Sequence, residues 1–174
     1  MPHLITGGAR SGKSRHAEEL AGRHLGPVCY LATAEVRDAE FARRVERHRA
    51  QRPPHWDVAE AGRGLAAAIA ARDAADGLLL IDCLGMWLMR FFGEAGFDEG
   101  GYAAERDALL AALERAVGEV LLVSNEVGWG VVAADVETRR FVDELGRLNQ
   151  LIAARCGRVT LVACGLPLAL KGMA

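Results

Sequence analysis

Short apolar runs alternate along this chain with longer amphipathic stretches. Five runs, Leu4–Thr6, Val28–Thr33, Leu78–Asp82, Val120–Ser124 and Val159–Cys164, are mainly apolar and bounded by glycine or polar positions. A run without regular polar alternation suits a strand buried on both faces. Between the runs, spacing predicts helices near residues 13–24, 37–51, 62–75, 84–93, 102–117 and 137–156. In the last of these, Phe141, Leu145, Leu148 and Ile152 recur at helical spacing while Arg and Glu fill the other face. Strand–helix alternation predicts an α/β fold: a mainly parallel sheet flanked by helices, joined by right-handed crossovers. Active residues are then expected at the C-terminal ends of the strands. No repeat, low-complexity tract or linker interrupts the pattern, so one domain over residues 1–174 is expected. The glycine-rich stretch Gly93–Gly101 reads as a mobile surface loop.

The first apolar run leads into Gly7-Gly8-Ala9-Arg10-Ser11-Gly12-Lys13-Ser14, and a helical stretch follows. This fits the phosphate-binding pattern G-x-x-x-x-G-K-[ST] in the context that gives the pattern its mechanism. Gly7 and Gly12 let the loop curl so that backbone N–H groups point at a phosphate. Lys13 would reach the terminal phosphates, the Ser14 hydroxyl would bind magnesium, and the new helix adds the positive end of its dipole. Composition strengthens the reading. The chain has only two lysines, Lys13 and Lys171, and its other cationic side chains at neutral pH are arginines. A compact ammonium on a flexible stem suits this position in a way a planar guanidinium does not.

Hydrophobic residues make up 51% and charged residues 25%, enough for a substantial core and against disorder. A net charge of -2 argues against a general nucleic-acid binder. Cys29, Cys83, Cys156 and Cys164 show no C-x-x-C spacing and read as buried free thiols. The N-terminus lacks the basic and apolar regions of a signal peptide, and no apolar stretch reaches membrane-spanning length. A soluble, cytoplasmic protein is expected.

Three further clusters could carry chemistry. Asp82 ends a buried strand, the usual place for the acid that binds magnesium directly or through water beside such a loop; the alternative is an N-cap for the next helix. In Arg43-Arg44-Val45-Glu46-Arg47-His48-Arg49-Ala50-Gln51-Arg52, two prolines then end the helix, and His48 continues the stripe of Phe41 and Val45. It is either a histidine at the core's edge on a solvated basic helix, or an imidazole held among arginines that bind polyphosphate. In the second case nearby cations disfavour imidazolium, and the neutral ring can attack phosphorus. The third cluster, Ser124-Asn125-Glu126-Val127-Gly128-Trp129-Gly130, follows a buried strand and is either an ordinary turn or part of the phosphate edge. His3, His16, His24 and His55 lack metal-ligand spacing. Met86-Trp87-Leu88-Met89 with Phe91-Phe92 reads most simply as core or subunit interface, with a wall for a large apolar ligand as the lesser alternative.

Taken in order, these clusters resemble the bifunctional adenosylcobinamide kinase / adenosylcobinamide-phosphate guanylyltransferase family of cobalamin biosynthesis. The shared pieces are Thr6–Arg15, Tyr30-Leu31-Ala32-Thr33, His48-Arg49 with Arg52-Pro53, Trp56 followed by Glu60, and Asp82-Cys83-Leu84. Asn125–Gly130, Gly146–Gln150, Gly165 and Lys171 continue the match. The resemblance implies a single P-loop, RecA-like domain that performs two reactions. ATP or GTP phosphorylates the aminopropanol hydroxyl of adenosylcobinamide. GTP then transfers GMP to a histidine, and adenosylcobinamide phosphate takes it to give adenosyl-GDP-cobinamide. The guanylylated histidine falls on His48. Nucleotide contacts fall on Gly7, Gly8, Ala9, Arg10, Ser11, Gly12, Lys13 and Ser14, near Thr33, and on Arg49, Arg52, Glu60 and Asp82. Mg²⁺ would sit at Ser14 and Asp82, and the family implies a homotrimer with the corrinoid at or near subunit boundaries. Two departures stand out: Ala133-Ala134 follow Val132 where many members have a proline, and Arg47 precedes His48 where some have a second histidine. Two rivals remain, a monofunctional small-molecule P-loop kinase and a non-catalytic nucleotide-gated module.

Overall fold

The computed structural model describes residues 1–35, 43, 46 and 52–172. The strands are, in chain order, β1 (His3–Thr6), β2 (Val28–Ala32), β3 (Asp57–Glu60), β4 (Leu78–Asp82), β5 (Phe92–Gly93), β6 (Gly96–Phe97), β7 (Glu119–Val123), β8 (Arg158–Ala163) and β9 (Leu166–Lys171). The helices are α1 (Lys13–Ala21), α2 (Leu65–Ala70), α3 (Leu84–Met89), α4 (Glu99–Arg115) and α5 (Val136–Arg155). Seven strands form one sheet in the order β3-β2-β4-β7-β1-β8-β9. Every pairing in it is parallel except that of β9 with β8. All five apolar runs lie in this sheet, and all five point their C-terminal ends to one edge.

Alternation through the sheet explains why those runs need no polar positions. Leu4, Leu31, Leu79, Ile81, Val120 and Leu122 point to one face, where they pack with Leu65, Ile69, Trp87, Leu109, Leu145 and Leu148 from α2 to α5. Their strand neighbours Ile5, Tyr30, Leu78, Leu80, Leu121 and Val123 point to the other, against Ala17 and Ala21 of α1. Burying each of these large side chains contributes about 1.5–3 kcal/mol. The apolar segment after Asp82 supplies core: Trp87 and Phe91 stack edge-on, and both lie against Tyr102.

Several boundaries differ from the expectation. β3 and β9 are exposed edge strands, so neither has the buried run that marks the others. The stretch Gly93–Gly101 is ordered. It forms the β5–β6 hairpin and then the start of α4, where Asp98 accepts from Gly101 N at 3.0 Å and pairs with Arg63 at 2.7 Å. Cys29, Cys83 and Cys156 are buried thiols, whereas Cys164 is exposed in the tight β8–β9 turn. That turn has two residues, Cys164 and Gly165, both with positive φ (53° and 79°), the geometry of a two-residue hairpin with matching twist. The expected helix at 37–51 lies outside the described residues apart from Arg43 and Glu46. Among the described residues, no helix is long and apolar enough to cross a membrane.

Candidate active site

The phosphate loop leaves the end of β1 and closes into α1. Gly7 is buried between β8 and the loop itself: a Cβ there would lie 2.4 Å from the Val162 carbonyl oxygen. Gly12 caps α1 at φ 98°, a conformation that favours glycine. Ser11 O accepts from Gly165 N at 2.8 Å, tying the loop to the β8–β9 turn. Beneath the loop the Ser11 hydroxyl is buried with no hydrogen-bond partner among the described residues. Lys13 is only 9% exposed and folds back over the loop, donating from Nζ to Gly8 O at 3.0 Å. Burial holds its ammonium below the usual lysine range, and the Asp82 charge offsets part of that. The result is a partly desolvated cation above curled backbone, an arrangement that holds phosphate.

Asp82 stands at the end of β4, two strand positions from β1, or about 10 Å at ordinary strand spacing. It does not cap the helix that follows. Cys83 holds the N-cap position of α3, which has no side-chain cap. Asp82 Oδ2 instead accepts from the Tyr30 hydroxyl at 3.2 Å. Burial and the Asp82 charge push the Tyr30 phenol up, so it remains a donor. The Arg52 guanidinium lies over the Tyr30 ring, 3.4 Å from its centroid, and its Nε is 3.7 Å from Glu18 Oε1 on α1. Thr33 is fully buried; its hydroxyl donates to Cys83 O at 2.8 Å, and Arg90 Nε donates to Thr33 O at 2.8 Å. Thr33 therefore braces the turn that presents Asp82. Burial and the adjacent Asp82 raise the Cys83 thiol to about 12, so it stays neutral at physiological pH.

Strand β7 runs between β1 and β4, and the residues after it fill the gap at the sheet edge. Glu126 N donates to Gly7 O at 3.1 Å, and the Thr6 hydroxyl donates to Glu126 Oε1 at 2.7 Å. Asn149 on α5 donates to the same oxygen at 3.3 Å and to Asn125 O at 3.1 Å, and it accepts from the buried Ser124 hydroxyl. The Ser124–Gly130 cluster is thus hydrogen-bonded to the phosphate loop. Glu126 and Asn149 meet here: sequence reasoning left the Glu126 cluster open between an ordinary turn and the phosphate edge, and gave Asn149 no role. Their spacing gave no sign of it, because α5 reaches the loop only through the fold.

Of the expected residues, the fold brings Gly7 to Ser14 and Asp82 to the same edge of the sheet, with Arg52 and Thr33 behind Asp82. Glu60 is exposed at the same edge but on β3, four strand positions from β1, roughly 19 Å away at ordinary spacing. His48 and Arg49 lie outside the described residues.

A family model described as "Cobinamide kinase / cobinamide phosphate guanyltransferase" matches residues 3–170. The chain belongs to this family. The bifunctional adenosylcobalamin biosynthesis protein CobP of Pseudomonas aeruginosa is 48% identical over 99% of this chain and 98% of its own. The proteins CobU of Salmonella typhimurium and Escherichia coli are each 40% identical over 98% of this chain and all of their own. Among solved structures, a Pyrococcus horikoshii protein from a structural study of PH0250 superposes with a TM-score of 0.60 at 6% identity, over 99% of this chain and 87% of that one. An ATPase from a bacterial type III secretion system superposes with a TM-score of 0.52 at 13% identity, over 97% of this chain and 56% of that one. These two likenesses speak to the fold alone. As a member of the cobinamide kinase / guanylyltransferase family, the chain is an enzyme of cobalamin biosynthesis with kinase and nucleotidyltransferase activities.

Proposed function

We propose that the loop Gly7–Ser14 grips the triphosphate for both reactions, and that His48 carries GMP between them. The observation that carries the reading is Lys13, buried over the loop with its ammonium on Gly8 O, beside Asp82 and Glu126 on one sheet edge. In the kinase step the aminopropanol hydroxyl of adenosylcobinamide attacks the γ-phosphorus of ATP or GTP. The bond from that phosphorus to the β-phosphate oxygen breaks, and the hydroxyl proton passes to solvent or a carboxylate. Lys13 exchanges its contact with Gly8 O for phosphate oxygens, and the loop N–H groups stabilise the charge that develops.

In the second reaction a His48 ring nitrogen attacks the α-phosphorus of GTP and pyrophosphate leaves. A phosphate oxygen of adenosylcobinamide phosphate then attacks the same phosphorus, releasing neutral His48 and adenosyl-GDP-cobinamide. A phosphoramidate divides one difficult transfer into two displacements. Arg49, Arg52 and Glu60 act on the nucleotide in this reaction, and Thr33 acts through Asp82. Arg52 lies over Tyr30, behind the acid rather than on the loop, so its charge supports the site from one side.

Mg²⁺ would be held by the Ser14 hydroxyl and the Asp82 carboxylate. Both are hard oxygen donors of the kind it prefers, with phosphate and water to complete its shell. Bound there, it would neutralise phosphate charge. We further infer a cytoplasmic homotrimer. The exposed row Leu166, Leu168 and Leu170 on β9, an edge strand, supports association through that side.

GTP labelled at the α-phosphate tests the reading. Acid-labile, base-stable label should appear on the protein and vanish in His48→Ala. Protein that binds GTP yet takes no label would reduce the activity to a kinase, and cobinamide that gains neither phosphate nor GMP would leave only a nucleotide-gated module.

A further inference from the structure

The segment after Glu126 exposes more apolar surface than a turn requires. Trp129 is 71% exposed, Val131 99% and Val132 79%, with Val127 at 38%. Scattered exposed apolar residues are ordinary, but so many in six consecutive positions are not. The segment is held at both ends. At its start Glu126 N donates to Gly7 O and Glu126 Oε1 accepts from the Thr6 hydroxyl. At its end Arg139 Nη1 donates to Ala133 O at 2.8 Å and to Ala134 O at 2.6 Å, and Asp135 caps α5 by accepting from Thr138 N at 2.7 Å. The apolar side chains are therefore presented outward by a fixed frame, and that frame is one hydrogen bond from the phosphate loop.

The start of the segment therefore stands beside the loop that would hold the transferred phosphoryl group. The acceptor in the reading above is a corrinoid, a broad macrocycle with apolar faces whose reacting hydroxyl sits on a side chain at its rim. Residues 127–134 carry no charged side chain, and Glu126 and Asp135 flank them. That suits a ring left cationic by its cobalt(III) centre. We propose that Val127, Trp129, Val131 and Val132 form the platform on which the corrinoid ring of the acceptor rests while its hydroxyl reaches the phosphate loop. The proposal rests on the kinase reading and adds to it the acceptor's contacts.

The test uses the full chain, its Trp129→Ser variant, and a Val131→Ser/Val132→Ser variant. Kinase kinetics are measured against adenosylcobinamide and, separately, against ATP, with sedimentation of each protein. Tryptophan emission is titrated with adenosylcobinamide. Trp56 and Trp87 are buried, so the water-shifted part of the emission comes from Trp129, and the concentration dependence of quenching reports binding. The KM for adenosylcobinamide should rise roughly tenfold or more in both variants, as loss of an aromatic or of two valines covered on binding implies, without a matching rise in the KM for ATP. The midpoint of the quenching titration should move to higher adenosylcobinamide concentration in both variants. Unchanged corrinoid KM in active variants would overturn the platform alone. So would variants that lose self-association, which would make a second copy of the chain the occupant. Wild-type protein that neither phosphorylates adenosylcobinamide nor is quenched by it would overturn the kinase reading beneath.

Discussion

Replacing Gly7 by alanine tests whether the phosphate loop is held in shape by close packing. A Cβ at Gly7 would stand 2.4 Å from Val162 O and 2.6 Å from Ser11 Oγ. The Ser11 hydroxyl can turn away, but Val162 O belongs to the backbone of β8. The loop must therefore retreat by more than half an ångström. Overpacking of this kind costs about 1–3 kcal/mol, and for a chain this size each kcal/mol lowers Tm by about 2–4 °C. A displacement approaching 1 Å at groups that orient phosphate costs about a hundredfold in rate. Gly7→Ala should therefore show a modestly lower Tm and a kinase kcat/KM down about a hundredfold. Gly8 is the control for stability: a Cβ there meets nothing within 4 Å, so Gly8→Ala should change stability by no more than about 0.5 kcal/mol. Differential scanning calorimetry and a coupled assay of ADP release with adenosylcobinamide read both quantities. A Gly7→Ala protein with wild-type Tm and turnover would refute the packing argument.

Two further outcomes follow from the electrostatics. Lys13→Ala should lower the kinase rate roughly a hundredfold or more, and Lys13→Arg should not restore it, because a guanidinium does not fit where the compact ammonium sits; near wild-type turnover in either variant would count against the phosphate grip. His3 is buried, bonds Thr160 Oγ1 through Nε2 at 2.8 Å, and has its imidazole lowered to about 4, chiefly by burial and then by Arg158 and His16. Its folded pKa lies below the unfolded value, so the unfolded chain binds the extra proton first. Stability is fully present above about pH 6.5 and is lost as pH falls toward 4, by roughly 2 kcal/mol at pH 5. Urea unfolding at pH 7 and pH 5 should show that loss in the wild type and a smaller one in His3→Gln; equal losses would remove His3 as its source.

The sequence made the doubly buried strands legible because each is a run with apolar side chains on both faces, as Leu78–Ile81 illustrates. The phosphate loop was legible because its glycines and Lys13 have spacing tied to one geometry. The edge strands were not. Asp57–Glu60 has only two apolar residues between its carboxylates and is mostly exposed, and Leu166–Lys171 contains Pro167 and faces solvent throughout, so neither carries a burial signal. Nor could the strand order be read along the chain. It alone puts Glu126 between the loop and Asp82, and brings Asn149 from α5 onto Glu126. Asp82 was open to two readings because Asp is common both as a cap and as an acid at a strand end. The geometry of α3, whose N-cap is Cys83, excludes the first.

The scarcity of lysine has a practical side. Lys13 is nearly enclosed over the phosphate loop, and Lys171 Nζ donates to Ala153 O and Ala154 O. An amine-selective acylating reagent therefore meets two side-chain amines in the entire chain and the terminal amine, against a surface otherwise made cationic by guanidinium. Because burial lowers the Lys13 pKa, more of its amine is free base than a surface lysine offers at the same pH. Occupancy of the loop becomes a footprint confined to one peptide in a mass spectrum, with almost no background to subtract.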